Sequence, residues 1–145
     1  MLTEEDLAAI VGRPLPGGEY TLQPYVDWLV HDAVEAGVPG EVAHPLFGFI
    51  AGLRGKGISL DDLFEICGAT AADGPMFGEH ETELHQPLRP GETYRVSGEF
   101  VSAERKQGKK TGIFDIVGFR LRLTDSAGTL AATTFNSFVF PRRSA

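Results

Sequence analysis

The chain has 145 residues, 42% of them hydrophobic and 23% charged, the balance of an ordinary globular protein rather than a disordered or fibrous one. A formal net charge of −7 argues against general nucleic-acid binding, which depends on neutralising phosphates with Lys and Arg. No apolar run approaches the roughly 20 residues that a membrane-spanning helix needs, and the acidic start Met1-Leu2-Thr3-Glu4-Glu5-Asp6 lacks the basic flank and apolar stretch of a secretion signal.

The lone Cys67 can form no internal disulfide, which suits a reducing cytoplasm. No repeat, linker or low-complexity tract divides the chain. We therefore expect one domain over 1–145, with 1–18 as an N-terminal helix and lead-in. Thr3 with Asp6 three residues on is a capping signal and predicts a helix over 3–10, stopped by Gly12-Arg13-Pro14. Gly17-Gly18 opens a short extended piece over 19–23. Pro24 fits the first turn of a second helix that runs to about Glu35 and ends at Gly37 and Pro39.

His44-Pro45 starts a third helix. Leu46, Phe49, Ile50 and Leu53 follow the i, i+3, i+4, i+7 pattern, and Phe47 and Ala51 make the rest apolar too. A helix apolar nearly all round is a buried one. Gly48 and Gly52 cost helix propensity, a loss that close approach to a sheet would offset. Ser59-Leu60-Asp61-Asp62 predicts a fourth, short helix up to Cys67, and 68–75 reads as a flexible loop.

From Glu79 onward the period changes to two. Thr93-Tyr94-Arg95-Val96-Ser97 alternates, as does Phe119-Arg120-Leu121-Arg122-Leu123, and turns fall at Pro90-Gly91, Gln107-Gly108-Lys109 and Asp125-Ser126-Ala127-Gly128. The run from Leu130 to Phe140 reads as a central strand. Helices first and strands second give an α+β class. A long antiparallel sheet wrapped around the central apolar helix is the simplest arrangement that buries that helix.

The stretch His80-Glu81-Thr82-Glu83-Leu84-His85-Gln86-Pro87-Leu88-Arg89-Pro90-Gly91-Glu92 resembles the strand and Pro-Leu-x-Pro-Gly-(Asp/Glu) corner of the MaoC-like (R)-specific enoyl-thioester hydratases and dehydratases. The Lys- and Gly-rich turn at 106–110, the Asp125-x-x-Gly128 turn and Ala43-His44-Pro45-Leu46-Phe47 fall in that family's order over most of 19–140. The resemblance implies a hot-dog fold, addition of water to a trans-2-enoyl thioester of CoA or acyl carrier protein (or the reverse dehydration of a (3R)-hydroxyacyl thioester), no cofactor, and pairing with a second hot-dog subunit, alike or different. Hot-dog thioesterases and non-catalytic acyl-binding subunits share the scaffold and are the alternatives.

The family's catalytic motif, Asp-x-Asn-Pro-x-His, is represented here by Asp27 and His31, one residue closer together and without the Asn-Pro pair. Spaced four apart on a helix they share a face. There they either converge on one water or form a surface ion pair of small energetic worth. The resemblance further implies that the helix start near His44 and Leu46 polarises the thioester. Pro45 stands where catalytic members often carry glycine, and proline has no N–H to offer. Phe47 either lines an acyl tunnel or packs the core. Lys106 and Lys109 either hold the phosphates of CoA or a pantetheine arm, or simply solvate a turn.

His80 and His85 are expected to make structural hydrogen bonds, since no cysteines or spaced carboxylates stand near them to build a metal site. Asp115, amid apolar neighbours, either faces inward with a raised pKa or marks a strand edge. Cys67 is expected to be buried and inert.

Overall fold

The computed structural model describes residues 1–142. Thr3 Oγ1 accepts the Asp6 N–H at 3.0 Å, and the Asp6 carboxylate accepts the Thr3 N–H at 3.2 Å. This reciprocal cap starts helix α1 (Glu4–Ala8). Strand β1 (Gly18–Thr21) leads to helix α2 (Pro24–Ala33), which carries proline in its first turn and stops two residues before Glu35. Glu35 takes φ +55°, the one non-glycine with positive φ among the described residues. Helix α3 (Phe47–Gly55) follows, then α4 (Leu60–Ile66), whose N-cap Ser59 accepts the Asp62 N–H at 3.0 Å. The stretch expected to be a flexible loop instead holds a 3-10 turn, Ala71–Asp73, because Thr70 and Asp73 cap it reciprocally.

Strands β2 (Met76–Leu84), β3 (Thr93–Gly108), β4 (Gly112–Thr124) and β5 (Leu130–Arg142) complete an antiparallel five-stranded sheet in the order β1-β3-β4-β5-β2. β5 lies between β4 and β2, the interior place its Thr-, Phe- and Val-rich run implies. The α+β expectation holds: this is the hot-dog arrangement, a long sheet curled over one central helix.

How the helix sits on the sheet follows from its glycines. A Cβ built on Gly48 would meet Thr82 of β2, one on Gly52 would meet Leu121 of β4 and Thr134 of β5, and one on Gly55 would meet Val96 of β3. α3 thus crosses the strands, with its backbone almost touching them. That corrects the expectation of a helix buried all round. Phe47, Gly48, Ala51, Gly52 and Gly55 are buried, whereas Phe49, Ile50 and Leu53 are only half-buried and Leu46 is exposed. Small residues hold the helix so close that, beyond the buried Phe47, the side chains of Phe49, Ile50 and Leu53 lie toward its flanks. The helix also begins later than predicted, at Phe47, since His44 and Pro45 form the turn before it.

Asp115 is fully buried and faces inward. Arg105 donates to it at 2.8 and 3.0 Å and Arg142 at 2.8 Å. Burial alone would raise its carboxyl, but these two guanidiniums outweigh burial and hold it below the usual range. The raised pKa expected for an inward Asp115 is therefore reversed. Arg105 also reaches the Leu2 carbonyl, and Arg142 reaches those of Gly68 and Cys67. Through them the cluster ties the N-terminus and the end of α4 to the sheet. Burial pushes the Cys67 thiol up to about 12, far from a reactive thiolate. No helix of the described residues is long and apolar enough to cross a membrane.

Candidate functional site

Asp27 sits in the first turn of α2 and is 1% exposed. A buried carboxylate needs hydrogen-bond donors, and Asp27 has one: its Oδ1 accepts the backbone N–H of His44 at 2.9 Å. The helical spacing brings His31 Nε2 to 3.3 Å from the same oxygen, in an ion-pair contact rather than an aligned hydrogen bond. Asp27 Oδ2 and both ring nitrogens of His31 are buried without a hydrogen-bond partner among the described residues. Each such group costs about 1–3 kcal/mol if left alone, and folded proteins keep few of them outside functional sites.

The third member is His44. Its ring stands edge-on to that of His31, with centroids 5.3 Å apart. Its Nδ1 accepts the N–H of Leu46 at 3.1 Å. Two charge-capable side chains from α2 and one imidazole from the approach to α3 therefore meet where α2 abuts the start of the central helix.

An apolar hollow of about 430 Å³ adjoins this cluster, lined by His44, Pro45, Leu46, Phe49, His80 and Thr82. His31 faces a second hollow of about 380 Å³, with Trp28, Glu35 and Val38 on its walls. His80 is held in place on both sides: Nδ1 pairs with Asn136 Oδ1 at 2.7 Å and Nε2 with Thr82 Oγ1. His85 Nε2 pairs with Thr133 Oγ1 at 3.1 Å. Both histidines are thus hydrogen-bonded within the sheet. A larger hollow of about 800 Å³ opens at the far hairpin, beside Met1, Met76, Lys110 and Phe114. It is remote from the Asp27 cluster, and the Arg142 guanidinium on its wall is already engaged.

The structure brings Asp27, His31 and His44 together, with Leu46 against the His44 ring, but not the side chains of Phe47, Lys106 and Lys109. Phe47 is 0% exposed and belongs to the core. The N–H of Leu46 is taken up by His44, while its side chain rims the apolar hollow. Lys106 pairs with Glu104 at 3.4 Å on the β3 side of the hairpin, and Lys109 lies in the turn beyond β3. Gly98 shares a cross-strand row with Leu121, Thr134 and Thr82. Lys106 lies eight residues along β3 from that row, roughly 26 Å at the usual strand rise. Within this chain, neither lysine reaches the Asp27 cluster.

Two features escaped the sequence reading. The first is the bond from the Leu46 N–H to the His44 ring, since His44 was expected to act only as part of the helix start that polarises a thioester. His44 and Leu46 straddling a proline is the signal that would have pointed to the ring-to-backbone bond. The second is the His80–Asn136 pair, which depends on a strand register that no local pattern reveals.

No family model matches the chain and no curated protein matches it. Solved structures do. The C-terminally truncated HadBC (3R-hydroxyacyl-ACP dehydratase) complex of Mycobacterium tuberculosis is similar over 90% of this chain and 96% of its own, with TM-score 0.66 and 17% identity. A MaoC-like dehydratase from Rhodospirillum rubrum matches over 100% of both chains, at TM-score 0.66 and 16% identity. The R-hydratase PhaJ1 of Pseudomonas aeruginosa matches over 92% of this chain and 83% of its own, at TM-score 0.55 and 13% identity. At such identities the likeness establishes the fold, and function rests on the site.

Proposed function

We propose that this chain is a hydratase or dehydratase of acyl thioesters, interconverting trans-2-enoyl and (3R)-hydroxyacyl forms, with Asp27 and His31 handling the water. The observation that carries this reading is the buried, unpartnered set of Asp27 Oδ2 and the two His31 nitrogens. A carboxylate and an imidazole side by side can accept one proton from a water and orient what remains of it. In hydration the water oxygen bonds to C3 of the enoyl group while its proton passes to the Asp27–His31 pair. The C2=C3 π pair moves toward the carbonyl, and C2 then takes a proton back from the pair. The open hollow bounded by Pro45, Leu46 and Phe49 gives the acyl chain an apolar wall. The type of the three fold relatives named above, one of them described as a complex, favours the same chemistry and a paired assembly.

Residues 1–145 are read as one hot-dog domain that pairs with a second, along the free edge of β2. That strand ends the sheet order and exposes Met76, Phe77 and Leu84, and an uncovered apolar edge is a pairing surface. The test is hydration of a short trans-2-enoyl-CoA by the purified chain, followed by loss of the enoyl-thioester absorbance, with a thiol reagent reporting free CoA. Absorbance loss without thiol release, abolished in Asp27→Asn and His31→Ala, supports the proposal. Thiol release would make the chain a thioesterase. Saturable binding with no turnover would make it an acyl-binding subunit.

A further inference from the structure

Hydration of an enoyl thioester puts negative charge on the carbonyl oxygen, and a catalyst must aim a hydrogen-bond donor there. The start of α3 has no backbone donor to spare. Pro45 has no N–H. The N–H of Leu46 lies on His44 Nδ1, that of Phe47 on the His44 carbonyl at 3.0 Å, and that of Gly48 on the Pro45 carbonyl at 3.1 Å. The same contacts that exhaust the backbone prepare a side chain. A ring nitrogen that accepts a hydrogen bond carries no proton, so the Leu46 N–H fixes neutral His44 as the tautomer protonated on Nε2. Nε2 has no hydrogen-bond partner among the described residues, and His44 is only half-buried. Asp27 holds the His44 main chain at 2.9 Å, and the His44 ring lines the apolar hollow.

The spacing suits the reaction. A water attacks from about 3 Å and an oxyanion donor sits about 2.8 Å from its oxygen, so the two anchoring groups belong on the order of 5–8 Å apart. His31 and His44 have ring centroids 5.3 Å apart.

We propose, building on the hydratase reading above, that His44 Nε2–H is the hydrogen-bond donor to the thioester carbonyl, a side-chain replacement for the backbone donor that Pro45 removes. His44 stays neutral throughout and gives up no proton. As the C3–O bond forms, the displaced π pair collects as enolate charge on the oxygen that Nε2–H holds. The water's proton leaves through Asp27 and His31, and C2 is protonated from the same pair.

The experiment uses 2,4-hexadienoyl-CoA as a chromophore, because a hydrogen bond to its carbonyl shifts the absorbance to longer wavelength. The wild type and Asp27→Asn are expected to shift it on binding. His44→Phe is expected to bind without the shift, and His44→Gln, which keeps an N–H donor, to recover much of it. In turnover, His44→Phe is expected to lose about 100- to 1000-fold in kcat with KM little changed, and His44→Gln to regain most of that loss. The ¹⁵N spectrum of His44 is expected to show a protonated Nε2 and a bare Nδ1. A wild-type shift that persists in His44→Phe, or the opposite tautomer, overturns the assignment. A shift lost in His44→Phe from a protein that hydrates nothing leaves His44 as the carbonyl donor and sinks the hydratase reading instead. Failure of the wild type to bind the dienoyl-CoA sinks both.

Discussion

Asp27 Oδ1 accepts the backbone N–H of His44 at 2.9 Å, so one buried carboxylate couples α2 to the approach of α3 while its other oxygen has no partner among the described residues. The two oxygens have separable duties, one structural and one chemical. Asp27→Asn keeps an acceptor for the His44 N–H and is expected to fold with little loss of stability while abolishing hydration. Asp27→Ala leaves that N–H unsatisfied and is expected to cost about 1–3 kcal/mol as well. Urea denaturation of both variants beside the activity assay checks this. Equal stability of the two would show that the bond carries no structural weight.

The glycines of α3 make a graded prediction. A Cβ at Gly55 would lie 2.4 Å from Val96 Cγ2 and one at Gly48 would lie 2.5 Å from Thr82 Cγ2, but one at Gly52 meets nothing nearer than 3.2 Å. Overpacking of the first kind costs about 1–3 kcal/mol, while alanine regains up to about 1 kcal/mol of helix propensity. Gly48→Ala and Gly55→Ala are therefore expected to lower the urea midpoint clearly, and Gly52→Ala to change it little. Adding Val96→Ala to Gly55→Ala should cost less than the two changes apart, because it removes the clashing methyl. Strict additivity would contradict the close approach.

These glycines also mark what the sequence could and could not disclose. Gly48 and Gly52 in an otherwise apolar helix announced contact with a sheet, and the switch to alternation at 79 announced the strands. Local spacing carries such information directly. That Phe49 and Ile50 would sit at the flank rather than inside was not legible, since the glycines' own packing decides it. For the site, the four-residue step between Asp27 and His31 predicted a shared face, and they share one. The burial of Asp27 was not predicted, because its bond to the His44 main chain joins residues 17 apart in the sequence. Asp115 stood out as a lone charge in an apolar strand, but its partners Arg105 and Arg142 lie on two other strands, and only the register unites them.

The Asp115 cluster sets an acid limit on the fold. Arg105 and Arg142 overcome the effect of burial and hold the carboxyl below its usual 3.8. The unfolded chain therefore binds the proton more readily than the native one. The stabilisation is whole above about pH 4, near the unfolded carboxyl value, and is lost as the pH falls through the lower native value. Thermal midpoints are expected to drop steeply below about pH 4 in the wild type and less steeply in Asp115→Asn. That variant is expected to be less stable at neutral pH, by about 3–5 kcal/mol, because it strands the buried Arg142 guanidinium and the partly buried one of Arg105. Parallel pH profiles for the two proteins would refute the link.

The free edge of β2 yields the last expectation. Met76 is 54% exposed, Phe77 42% and Leu84 40%, on a strand paired with β5 on one side only. Natural sheets usually blunt such an edge with lysine, proline or a bulge. Here there is one irregularity, between Phe77 and Glu79, while Glu79, Glu81 and Glu83 supply the edge's acidic charges. Pairing two copies of so acidic a strand would set these carboxylates against one another unless the register staggers them. Association is therefore expected to strengthen with salt, which screens the carboxylates while leaving the apolar contact intact. Light scattering across a salt series should show a dimer that tightens as salt rises, and Met76→Lys with Leu84→Lys should return it to a monomer with an unchanged circular dichroism spectrum. A wild type that stays monomeric at every salt concentration would instead assign the edge to a different chain, one whose matching strand carries basic residues opposite Glu79, Glu81 and Glu83.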